Sequence, residues 1–82
     1  MARVVWKFRM HEPQVPSDHK FLHADVLDNR ICFWLEVDPN SPMIANPYSE
    51  YPTGLVEVPK HGEHMASVIN RVNNTVWHIY KH

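Results

Sequence analysis

The sequence predicts an all-β domain, and three observations predict it. Period-two alternation runs through several segments of strand length. Asn- and Asp-containing turn signals sit between apolar runs. Seven prolines and mostly β-branched or aromatic runs leave little that favours a helix. The expected architecture is an antiparallel twisted sheet of five to six strands, open or rolled into a half-barrel. At 82 residues it is expected as one small domain, 1–82, with no room for a Rossmann unit or a large enzyme cleft.

Each element follows from its pattern. From Arg3 to Met10, residues Val4, Trp6, Phe8 and Met10 share one face, and Arg3, Val5, Lys7 and Arg9 the other. Pro13 and Pro16 break the chain. His19 to Leu27 is a second run, with Leu22, Ala24 and Val26 opposed to Phe21, His23 and Asp25. Asp28-Asn29 then reads as a two-residue turn, because both residue types tolerate positive φ. Ile31 to Val37 follows as a strand with Ile31, Phe33, Leu35 and Val37 inward and Cys32, Trp34 and Glu36 opposite.

Four prolines between Pro39 and Pro52 predict a long mobile loop, with Tyr48 and Tyr51 as a lid. Thr53 to Val58 reads as a short strand. Met65 to Val72 and Thr75 to Lys81 read as a hairpin around Asn73-Asn74. The segment 63–72 also permits one short helix, since Met65, Val68, Ile69 and Val72 fit helical spacing. The strand reading places Ala66, Val68 and Val72 on one side.

The segment Ile31-Cys32-Phe33-Trp34-Leu35-Glu36-Val37-Asp38-Pro39, the ending Thr75-Val76-Trp77-His78-Ile79-Tyr80 and the opening Val5-Trp6-Lys7-Phe8 resemble a family of short uncharacterised proteins common in phage and prophage genomes. The resemblance runs through nearly the whole chain in the same order and departs in the Pro-rich middle. It implies a phage accessory protein acting in the host cytoplasm and brings no enzymatic activity with it.

Composition and motifs narrow the chemistry. A formal charge of −1 argues against general nucleic-acid binding. No apolar run approaches bilayer-spanning length. The single Cys32 excludes an internal disulfide and reads as a buried mid-strand thiol. Two glycines do not make a phosphate cradle, and no triad or carboxylate pair stands out, so the reading is not an enzyme. Seven histidines include His61 and His64 around Glu63, more simply read as turn histidines than as a metal site, so no cofactor is expected.

Two functions remain. The first is sequestration of a nucleotide-like signal of bacterial immunity. Trp34, Trp77, Tyr48 and Tyr51 are its candidate stacking residues, with Arg71, His61 and His64 as donors to phosphate. The second is protein-protein inhibition of a host defence complex, in the manner of an anti-CRISPR. The basic stripe Arg3, Lys7 and Arg9 would then be the partner surface. Aromatics on both faces of a small sheet also predict a homo-oligomer.

Overall fold

The computed structural model describes residues 2–54, 58, 60 and 62–82. Among these there is no helix, and every paired strand is antiparallel. The strands are β1 (Val4–Arg9), β2 (Gln14–Pro16), β3 (His19–Leu27), β4 (Arg30–Val37), β5 (Met43–Ala45), β6 (Tyr48–Pro52), β7 (Glu63–Asn70) and β8 (Thr75–Lys81). They form not one sheet but three: a first sheet in the order β1-β4-β3, a ribbon β2-β5, and a second sheet in the order β6-β8-β7. None closes into a barrel. The two larger sheets share one core, and β3 lies against β7.

The β3–β4 turn matches its sequence signal. Asp28 and Asn29 have φ of 51° and 61°, the two positive values that a tight hairpin requires. β4 buries Phe33, Leu35 and Val37 completely, as its alternation predicts. Phe33 stacks on Phe8 of β1 at 5.6 Å and on Phe21 of β3 at 6.0 Å. This aromatic row ties the three strands of the first sheet together.

Strict alternation groups Leu22 with Ala24 and Val26, and Phe21 with His23 and Asp25. A bulge between Phe21 and His23 reverses them, so Phe21 packs on the core and Leu22 is 44% exposed. A second bulge, between His64 and Ala66, sets the phase of β7. β7 is a strand and not the alternative helix. It ends at Asn70, so Arg71 and Val72 belong to the turn and Val72 is not on the core side. Asn70 Oδ1 accepts the Val72 N–H and Asn73 Oδ1 accepts the Thr75 N–H, which closes the wider turn.

The largest correction is the Pro-rich segment. It contains β5 and β6 instead of one long loop. Asn46, between them, donates to the carbonyls of Met10 and Glu12 and accepts from the Tyr48 N–H. The segment is thereby fastened to the turn after β1. Thr53 and Gly54 form a turn where a strand was expected, and positions 55–57 of that expected strand lie outside the described residues.

Tyr48 is a core residue and not a lid, being 4% exposed and in ring contact with both Phe21 and Phe33. His19 Nδ1–H donates to the Pro16 carbonyl, which can only accept, so Nε2 is the acceptor for the Tyr48 hydroxyl at 2.9 Å. Burial, with the nearby charge of Glu63, pushes the Tyr48 phenol up to about 12 from its ordinary 10. The neutral phenol is the form the fold prefers. Its contribution is therefore complete below pH 10 and is lost as the pH climbs towards about 12. The loss should reach about 2–3 kcal/mol. Urea unfolding at stepped alkaline pH measures it. An equal alkaline loss in Tyr48→Phe would show that other groups cause it.

Candidate cleft at the turn end of the two sheets

Three chain segments meet at one end of the molecule: the end of β1 with its turn, the β3–β4 hairpin, and the β7–β8 hairpin. Antiparallel pairing puts them together, because Arg9 of β1 pairs with Cys32 near the start of β4. They enclose a cleft of about 460 Å³ with Glu50 of β6 on one wall. That volume is within the range of small-molecule sites. A smaller hollow shares Met10, His11 and Glu50 and extends to Tyr48 and Ser49.

The cleft is rich in hydrogen-bond donors, and its geometry explains why. The Val72 N–H fixes the oxygen of the Asn70 amide. The Asn70 NH₂ therefore faces Asn29 and donates to its Oδ1 at 2.5 Å. This leaves the Asn29 NH₂ without a partner among the described residues. Asn73 spends its oxygen on the Thr75 N–H and hydroxyl, and its NH₂ is likewise unpartnered. The Trp77 indole N–H donates to Thr75 Oγ1 at 3.1 Å, which holds the ring in place as a wall. Arg9 and Arg30 complete the lining, and among the described residues neither pairs with a carboxylate. Among the described residues the one acid in the cleft is Glu50, 3.6 Å from His11 Nε2.

Of the residues singled out from sequence, this cleft gathers Trp77 and Arg9. Trp34 lies on the outer face of the first sheet, opposite Lys7 in register and 5.6 Å from the His23 ring. Tyr51 is on the outer face of the second sheet with its hydroxyl on His82 Nε2, and His64 packs beside Tyr80. Arg71 is exposed in the β7–β8 turn and does not line the cleft. His61 lies outside the described residues. The basic stripe is also divided. Arg3 is committed to Asp18 and Glu36, both at 2.9 Å, and these hydrogen bonds raise its pKa, that to Asp18 most. Lys7 stays on the outer face and Arg9 turns to the cleft.

Sequence reading missed Arg30, Asn29, Asn70 and Asn73 as site residues. Asn29 and Asn73 carried a turn signal, which is a backbone role and conceals the side chain's. No group of three or more His, Cys, Asp or Glu among the described residues is placed to hold a metal ion. Cys32 is buried and free. No helix among the described residues is long and apolar enough to cross a membrane.

No curated protein and no solved structure matches the chain. One family model does, over residues 1–82, and the chain belongs to that family, described as a domain of unknown function, DUF7352.

Proposed function

We propose that the protein binds and sequesters a small nucleotide-like anion in this cleft, as a non-enzymatic phage accessory protein acting against bacterial immunity in the host cytoplasm. The observation that carries the ligand class is the set of unpartnered donors, two guanidiniums and two amides, beside a fixed indole. Phosphates and base carbonyls are acceptors, and guanidinium binds phosphate in a forked geometry. The indole offers a stacking surface of the kind bases use. The phage setting is supported by the resemblance of the strand motifs.

Titration calorimetry with a panel of mononucleotides and cyclic dinucleotides tests the reading. We expect one ligand per cleft, recovered chemically intact after heat denaturation. Trp77→Ala should weaken binding by about 1–3 kcal/mol. A flat titration for every nucleotide would sink the proposal, and hydrolysed product in excess of the protein would replace it with an enzyme.

The inhibitor reading rests on a different surface, the outer face of the first sheet, where Trp34 lies between Lys7 and His23 in register. Homo-oligomerisation through this face is the arrangement we favour for it. Trp34→Ala should then weaken association by roughly 2 kcal/mol, the size of an interface hot spot. Sedimentation of a strict monomer at high micromolar concentration would exclude it.

A further inference from the structure

The outer face of the second sheet carries a chain of side-chain hydrogen bonds that the cleft does not use. Register sets Ser67 of β7 directly opposite His78 of β8. Thr53 follows β6, and its N–H on the Val76 carbonyl brings its hydroxyl to the other side of the same imidazole.

With His78 in its neutral form, the protons of this chain follow from its end. The Val76 carbonyl can only accept, so the Thr53 hydroxyl donates to it at 3.0 Å. Thr53 Oγ1 has no second proton and must accept from His78 Nε2–H at 2.8 Å. In the neutral ring this tautomer leaves the lone pair on Nδ1. Ser67 Oγ–H donates to that lone pair at 2.8 Å. With its proton spent, Ser67 Oγ accepts from His64 Nε2–H at 3.0 Å. A hydroxyl directed at a basic nitrogen, whose ring a third residue orients, is the arrangement of an activated nucleophile.

We infer that Ser67 is a nucleophile with His78 as its general base, and that it takes the acyl group of an activated ester. Oγ forms a bond to the acyl carbon while its proton passes to His78 Nδ1. The C–O bond to the leaving group breaks, and that alkoxide or phenolate departs with the proton. His64 Nε2, 3.0 Å from Oγ, places an N–H donor beside the reacting centre. Thr53 is a positioning residue, because it acts only through the His78 ring. Among the described residues no carboxylate is bonded to either imidazole, so a good leaving group is required and the product is a stable acyl-serine.

A fluorophosphonate probe tests the inference, since it captures the same nucleophile with loss of fluoride. Intact mass should show one adduct per chain, and peptide mapping should place it on Ser67. Ser67→Ala should remove it, and His78→Gln should slow labelling tenfold or more. Thr53→Val should slow it as well, with Thr53→Ser restoring the rate, which a merely structural contact would not require. Circular dichroism reads the fold of each variant, and should His78→Gln fail to fold, the Thr53 pair carries the comparison. Ser17 and Ser49 serve as internal references. Labelling of Ser67 no faster than theirs, or unchanged in His78→Gln, overturns the assignment.

Discussion

Phe33→Ala should destabilise the fold by about 3–5 kcal/mol, the cost of removing a fully buried aromatic ring whose site cannot collapse. Phe33 is 0% exposed and sits where four strands meet. Its ring touches Phe8 of β1, Phe21 of β3 and Tyr48 of β6, at 5.6, 6.0 and 5.2 Å. Truncation would strip all three contacts at once. A domain of this length has roughly 4–12 kcal/mol of stability in total. The variant should therefore be largely unfolded in mild urea, while Phe33→Leu, which refills part of the volume, should fall between the two. Urea titrations followed by circular dichroism measure both. A loss below about 0.5 kcal/mol, within the ordinary range for surface changes, would mean that this row of rings does not organise the core.

The regions of the chain that read well are those where a single rule acts. In β4 the alternation of Ile31, Phe33, Leu35 and Val37 meets no interruption, and burial follows it from Phe33 to Val37, with Cys32 of the other face buried as well. At Asp28-Asn29 the residue types, the spacing and the required φ all agree. Reading fails where one residue changes the phase. The bulge beside Leu22 exchanges its face with that of Phe21, and an extra residue in a strand leaves no mark in an apolar pattern. It fails again where proline argues for a loop. β2 and β5 are three-residue strands, and Pro52 stands at the end of β6. At such positions a proline removes little from a ladder, so its presence did not exclude a strand.

The sites were legible in a different measure. Trp77 was marked by type alone. Arg30, next to the hairpin turn, became visible only once that turn was placed beside the β7–β8 turn. The Ser67–His78 pair could be counted outward from the second hairpin through Asn70–Thr75, Ile69–Val76 and Val68–Trp77. Thr53 could not, because its place depends on the β6 pairing hidden in the Pro-rich segment.

The second large effect belongs to the cleft. Arg9→Ala together with Arg30→Ala should abolish measurable nucleotide binding. Neither guanidinium has a carboxylate partner among the described residues, so neither is neutralised before a ligand arrives. A hydrogen bond to a charged group contributes about 1.5–3 kcal/mol, so the double change should remove roughly 3–6 kcal/mol, at least a hundredfold in affinity. Should both arginines hold one phosphate, the two single losses will not add, and their difference from the double measures that sharing. Glu50→Gln should act in the opposite direction, because it removes a negative side chain of the cleft and leaves its shape. Raising salt should weaken the wild type and affect the double variant less, since screening acts on the charges that were removed. Arg71→Ala, in the exposed turn, should bind as the wild type does. Titration calorimetry of the wild type, the two single arginine variants, the double, Glu50→Gln and Arg71→Ala at two salt concentrations decides the matter. Wild-type affinity in the double variant would sink the cleft as the binding site, and a loss confined to Arg71→Ala would move the site to the tip of the β7–β8 turn.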